Sequence, residues 1–322
     1  MTRMPKSLIA ATAAFVLFSV APGAGAADSL RMRYGLKPGT AYDQTFTLNF
    51  GMAFDPSTPA ALLSLLQSFA GEVKQQVEMK ARLETTSGAG DGSLPFTYKV
   101  VEAHGSVTHS GQTKPIGSLA EAAAKPPANG SVAADRRRIT LAAAADPKDA
   151  SQNRVADRLA ESLPVLPDKD LAPGQSFETV TTLALPGPSG KERRTEAKWI
   201  YTLKSLDARE AVFDVVQTIP EAAQLQIGQD KSAAMSGGGT GRAVWNRAEG
   251  TFTSLHIDTD MTIDFDLPLP AGLTLGGSGS SGGQPGGASG SPAPTKVRTR
   301  VTGPLEMTLA RAGAAPAQPK PK

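Results

Sequence analysis

Apolar side chains recur at every second position through most of this chain, and that period of two is what most narrows the folds open to it. Leu30, Met32, Tyr34 and Leu36 fall on one face of an extended backbone, as do Tyr42, Phe46, Leu48, Phe50, Met52 and Phe54. The pattern returns in Val73, Val77, Met79 and Leu83, and again in Leu94, Phe96, Tyr98 and Val100. In the second half it runs through Phe177, Leu183 and Leu185, through Ala197, Trp199, Tyr201 and Leu203, and through Ala211, Phe213, Val215 and Ile219. Successive strand side chains point to opposite faces, so each run has one dry and one wet side. Strands of that kind belong to antiparallel sheets, because buried parallel strands read as unbroken apolar runs. The expectation is a mainly β protein with an antiparallel sheet, half-barrel or sandwich-like.

Two segments change period. In "STPAALLSLLQSFAGEV", Leu62, Leu63, Leu65, Leu66 and Phe69 share one helical stripe, with Thr58 and Pro59 at a plausible start. In "DPKDASQNRVADRLAESL", Asp146 and Pro147 suit the N-cap and first helical position, and Val155, Leu159 and Leu163 recur every four residues. One or two amphipathic helices are therefore expected, near 59–72 and over Asp146 to Leu163.

The turns suggest duplication. Leu36-Lys37-Pro38-Gly39-Thr40-Ala41-Tyr42 and Leu171-Ala172-Pro173-Gly174-Gln175-Ser176-Phe177 share the pattern L-x-P-G-x-[AS]-[YF]. In both, Pro-Gly fits the middle of a type II turn, and an aromatic then opens an alternating strand. The predicted organisation is a first β unit over 27–145, a helix and linker over 146–170, and a related second β unit over 171–310. A Gly/Ser-rich insertion over 276–295 reads as flexible, as does the tail 311–322, and "MSGGGTG", Met235 to Gly241, reads as a loop.

Residues 1–26 place Arg3 and Lys6 ahead of an apolar run from Leu8 to Val20 and the small residues Ala24-Gly25-Ala26. That is the form of a secretory signal, with cleavage expected after Ala26. The run is shorter than the roughly 20 residues a bilayer span needs. Export to the periplasm or beyond the cell follows, with no membrane span after cleavage. The chain has no cysteine, so a hydrophobic core must stabilise it without disulfides. Losing Arg3 and Lys6 lowers the formal charge from +3 by two, which leaves no electrostatic case for nucleic acid. The triplet Arg136-Arg137-Arg138 beside Asp135 reads as a solvated turn.

"HIDTDMTIDFD", His256 to Asp266, is the one stretch that invites a metal or acid-base reading. On a strand, Leu255, Ile257, Met261, Ile263, Phe265, Leu267 and Leu269 take one face, and His256, Asp258, Asp260, Asp264 and Asp266 take the other. Same-face neighbours stand about 6.6 Å apart, too far for carboxylates to close around Ca²⁺ unless the chain curls, and no glycine lets it. Zinc would need more ligands than His256 with His104 and His109 elsewhere supply. Past the insertion, Val297, Thr299, Val301, Leu305, Met307 and Leu309 share a face and Arg298 and Arg300 point away. A hairpin across the insertion would set these arginines near Asp264 and Asp266 as cross-strand ion pairs. The carboxylates then form the wet face of a strand; whether His256, Asp258 and Asp260 hold any cation stays open.

Three histidines and no cysteine leave little material for a triad, a thiol nucleophile or a metal centre; no zinc-protease or Walker motif occurs, and no dinucleotide motif follows a strand. The chain is read as a non-enzyme with no catalytic residues, no metal and no cofactor. The leading expectation is binding of an apolar small molecule or lipid beneath the helix carrying Leu62, Leu63, Leu65, Leu66 and Phe69. The alternative is an envelope scaffold or protein-interaction module without ligand. Its partner could then be another envelope protein.

"LRMRYGLKPGTAY", "LPVLPDKDLAPGQSF" and "GTGRAVWNRAEGTFTSLHIDTDMTI" resemble three landmarks of an exported bacterial family of unknown function. Its members open on an L-K-x-G-x-x-Y strand, carry an L-P-x6-G-x-x-[WF] element midway and close on a G-x-G-x-x-x-[WF] strand. Phe177 stands at the tryptophan of the middle element, and the Gly/Ser insertion is an addition. The resemblance spans roughly Leu30 to Leu309, implies export and a β architecture, and supplies no catalytic residues.

Overall fold

The computed structural model describes residues 29–55, 58, 63, 73–117, 119, 123–142, 163–186, 192–227, 231–267 and 295–313. Twelve strands run through them. They are β1 (Ala41–Phe54), β2 (Val73–Thr85), β3 (Leu94–His109), β4 (Gln112–Pro115), β5 (Ala128–Val132) and β6 (Ile139–Leu141), then β7 (Ser176–Pro186), β8 (Glu192–Leu206), β9 (Glu210–Ile227), β10 (Lys231–Asn246), β11 (Thr251–Leu267) and β12 (Thr295–Arg311). All join one open sheet in the order β6-β5-β3-β2-β1-β12-β11-β10-β9-β8-β7, with β4 beside β3. Every pairing is antiparallel. The mainly β, antiparallel expectation holds.

The order has a simple logic. Hairpin connections lay β7 to β12 side by side and β1 to β3 side by side, and the two runs meet where β1 pairs β12. Strands from opposite ends of the chain thus form the middle of the sheet, and the halves share a single core. β11 and β12 keep unbroken register from Ser254↔Thr308 to Leu267↔Thr295, so they are the hairpin expected across the Gly/Ser segment.

One end of the sheet is sealed by the segment before β1. Leu30, Met32, Tyr34 and Leu36 are all buried, as their period-two spacing predicts. Leu30 exchanges backbone hydrogen bonds with Leu171, Tyr34 N–H donates to the Arg136 carbonyl, and Gly35 N–H donates to the Gly250 carbonyl. A side chain at Gly35 would collide with the Glu249 carbonyl, so this close passage of two backbones requires glycine. Tyr34 stacks at a tilt on Trp245, and Trp245 meets Phe252 edge-on at 5.0 Å. Both Pro-Gly turns carry the positive φ expected of them, at Gly39 and Gly174.

Residues 163–167 sit between the two extremes of the strand order. Leu166 N–H donates to the carbonyl of Arg137, just before β6, while Val165 N–H donates to Thr179 Oγ1 on β7. The sheet's two edges are linked there.

Several expectations need correction. Met235 to Gly241 is part of β10, not a loop. A side chain at Gly238 would strike the Gln217 carbonyl and one at Gly241 the His256 carbonyl. These glycines mark strands that approach too closely for side chains, a demand that resembles linker composition in sequence. Arg136 and Arg137 are half-buried rather than solvated. Arg136 Nη1 donates to the Leu36 carbonyl and Arg137 Nε to the Leu166 carbonyl, so these two satisfy backbone acceptors at the sealed end, while Arg138 is exposed as expected. Of the helix expected over Asp146 to Leu163, only Leu163 is described, buried in a bend; residues 143–162 lie outside the described residues, as do 276–294 and 314–322.

Candidate functional site

Register assigns every described side chain of the sheet to one of two faces. On the inner face, residues line up across strands in rows. One row runs Ala103, Met79, Phe46, Met307, Leu255, Ala243, Phe213 and Leu203. From this row toward the Leu30–Leu36 segment the face is dry: Tyr42, Tyr98, Phe96, Phe213, Leu203 and Trp245 are all at most 2% exposed. Phe177, Tyr201, Phe213 and Phe252 pack as an aromatic cluster with centroids 4.9 to 6.3 Å apart.

In the other direction the same face opens. Phe46, Leu48, Met261, Ile263 and Leu305 are only partly buried against the core, Phe50 and Phe54 are half-exposed, and Met52 is 37% exposed. Phe46 to Phe54 covers about 26 Å along the strand. Across the sheet these side chains are carried by β1, β11 and β12, where neighbouring strands lie about 4.8 Å apart. The result is an apolar trough centred on β1; on the same face Val297, Val301, Ala233 and Met235 are at most 8% exposed, so the opening does not run across the whole of that end.

A second element borders it. Between β4 and β5 the chain leaves the sheet, with helical backbone at 117, 119 and 123, and lays Ile116, Leu119 and Ala123 against the core. Gly105 on β3 makes this possible, since a side chain there would collide with Leu119. The sequence carried a signal for it: Ile116, Leu119 and Ala123 fall at i, i+3 and i+7, ahead of an alanine-rich run.

Of the five residues singled out in the sequence, Leu62, Leu65, Leu66 and Phe69 lie outside the described residues. Leu63 has helical backbone and is half-buried. Among the described residues, the trough is lined by strand residues of the alternating pattern, which the sequence marked as core.

Inside the dry half, the polar groups are paired. Tyr98 hydroxyl donates to Gln44 Oε1 at 2.7 Å, and Gln44 Nε2 donates to Met307 Sδ at 2.9 Å. Tyr34 hydroxyl donates to the Pro164 carbonyl at 2.6 Å. Burial raises the Tyr34, Tyr98 and Tyr201 phenols above their ordinary range, so all three stay protonated.

The outer face is charged and wet. Arg298 makes a two-pronged contact with Asp264 at 2.7 and 3.0 Å, and Arg300 another with Asp260 at 2.7 and 2.5 Å. Arg300 stands opposite Thr262 in register and reaches diagonally to Asp260, not to Asp266, which lies opposite Lys296. The hydrogen bonds from Arg300 hold the Asp260 carboxyl below its usual range. His256 lies 3.1 Å from Glu306 and 3.2 Å from Asp258. On β2 and β3, Glu102 accepts from Lys80 and contacts His104, and these hydrogen bonds pull its carboxyl down to about 2. Among the described residues, no three His, Asp or Glu side chains gather as a metal-holding group. The stretch that invited a metal reading is a run of cross-strand ion pairs.

A shallow depression of about 630 Å³ lies over Gly238 on this outer side, edged by Val216, Thr218, Asp258 and Asp260. Its two carboxylates are engaged by His256 and Arg300. No described helix is long and apolar enough to cross a membrane. No protein-family model matches the chain, and a search of curated proteins finds no match.

Proposed function

We propose that this chain is an exported, non-enzymatic binding protein that shelters an apolar, lipid-like molecule in the open half of a half-barrel-like sheet. The observation that carries the reading is the contrast along one face: the same alternating pattern is dry at the sealed end and half-exposed from Phe46 to Phe54. A sheet that buried its inner face for stability alone would have no use for apolar side chains left in water there. Covering them with an acyl chain gains about 0.8 kcal/mol for each methylene buried. The secretory character of residues 1–26 supports placement in the cell envelope or outside it, where such a molecule needs shelter from water.

The test is titration of the full chain with an uncharged fluorescent hydrocarbon such as diphenylhexatriene. Saturable uptake is expected, and Met52→Asp with Ile263→Asp should abolish it while the β signal in circular dichroism and the cooperative melt persist. Absence of saturable uptake by the wild-type chain, or equal uptake by the double variant, overturns the reading. An envelope scaffold without ligand would give the first of those results.

A further inference from the structure

From the trough on β1, two rows of the inner face lead across β2 and β3 to β4. Register aligns Phe50 with Gln75, Gln75 with Val107 and Val107 with Lys114 in one row. In the next it aligns Met52 with Val73, Val73 with His109 and His109 with Gln112. None of these residues is buried, so both rows stay open from β1 to the edge. The β3–β4 hairpin is held by a tight turn, in which Ser110 and Gly111 take φ of 50° and 77°, the signs that match strand twist. Toward the dry core the rows end at a wall, where Ile116 and Leu119 lie over Gly105.

Val107 is thus an apolar spot ringed by polar side chains. Lys114 and Gln75 stand on the neighbouring strands, about 4.8 Å to either side, and His109 stands two residues along β3, about 6.6 Å away. All three can donate: the ammonium of Lys114, the amide of Gln75, and an imidazole N–H of His109 in either tautomer. Among the described residues, neither Lys114 nor His109 has an acidic partner. The outer face treats its cations otherwise, for Lys80 meets Glu102, Arg82 meets Asp43 and Arg298 meets Asp264. Nor does any Asp or Glu hold an inner position on β1 to β4 among the described residues.

Charge complementarity decides what this corner takes. A carboxylate over Val107 gains the Lys114 ammonium and the N–H groups of Gln75 and His109, and meets no like charge. One ammonium matches its single negative charge, whereas a phosphate monoester, at close to −2, would carry more charge than Lys114 offsets. From Val107 to β1 is two strands, about 10 Å, and there Phe50 and Met52 begin the apolar surface.

We propose that the trough takes a fatty carboxylate, its head group over Val107 among Lys114, Gln75 and His109 and its hydrocarbon along β1. This rests on the apolar-ligand reading above and adds the class of ligand and its orientation.

The experiment is competition against diphenylhexatriene bound to the full chain, using laurate, monolauroylglycerol and dodecyl phosphate below the concentrations at which they self-associate. At about pH 8 the fatty acid is ionised. Laurate is expected to displace the probe at a concentration about fivefold lower than the glyceride. The readout is the ratio of the two half-displacing concentrations, which a general loss of probe binding does not move. Lys114 is exposed, so Lys114→Glu disturbs no packing, and it should reverse the order of laurate and glyceride. In His109→Gln/Lys114→Gln the two should come within about twofold of each other. A glyceride that competes as well as laurate, or a laurate preference unchanged in Lys114→Glu, overturns the ligand class and leaves the apolar trough standing. Dodecyl phosphate competing better than laurate overturns the choice of head group. No diphenylhexatriene uptake by the wild-type chain overturns both this proposal and the reading it rests on.

Discussion

Lys80, Glu102 and His104 show how single side chains on the wet face tie stability to pH. Glu102 ionises at about 2 in the folded chain, against an ordinary value of 4.5, first because Lys80 and then because His104 hydrogen-bonds its carboxylate. A depressed carboxyl stabilises the fold above its unfolded value and loses that contribution as pH falls through the folded one. Thermal melts of the wild type should therefore lose stability between about pH 4.5 and about pH 2. Lys80→Met should flatten that part of the profile by lowering stability at neutral pH while leaving it little changed near pH 2; an identical acid profile would contradict the assignment. Tyr34 works differently, through a buried hydrogen bond to the Pro164 carbonyl. Tyr34→Phe removes the only donor given by that side chain and leaves a buried acceptor, so urea unfolding should show a loss of about 1–3 kcal/mol.

Among elements, the segment from Leu30 to Leu36 seals one end of the sheet without being a strand of it. Met32 is fully buried within it, and Met32→Ala should lower stability by about 2–5 kcal/mol in urea. Little or no loss would mean that the segment only rests on the sheet. A second element-level device is Gly303, which has a φ of 143° and lies on β12 against the Asn49 carbonyl of β1. Gly303→Ala should weaken the central β1–β12 pairing, read as faster amide exchange at Leu48 and Gly51 than at Leu94 or Phe96 on β3. Exchange raised equally everywhere would show a global effect instead.

These elements also show what the sequence discloses. Strands with side chains on both faces are legible, since burial of one face requires apolar residues at period two, and β1 to β3, β8, β9, β11 and β12 follow it. β10 escaped because its inner positions Gly237, Gly239 and Gly241 carry no side chain to set a period, and the constraint that demands glycine lies in the neighbouring strands. The partner choice of Arg300 was half legible: the hairpin fixes which strand it faces, while the diagonal reach to Asp260 depends on sheet twist. The trough was least legible of all. Phe46 to Phe54 and Tyr42 have the same spacing and chemistry, and whether an apolar residue ends up dry depends on which segment crosses over it.

For the whole molecule, one sheet joins both halves of the chain at β1 and β12, buries most of its inner face and leaves the part along β1 from Phe46 to Phe54 half-open. The central claim is that the open part holds an apolar molecule in the cell. Native mass spectrometry of the protein, purified without detergent from the cells that make it and then extracted with organic solvent, tests this most directly. A bound apolar molecule at close to one per chain, released by the extraction, is the predicted result. A chain that arrives empty and takes up no diphenylhexatriene afterwards would contradict it.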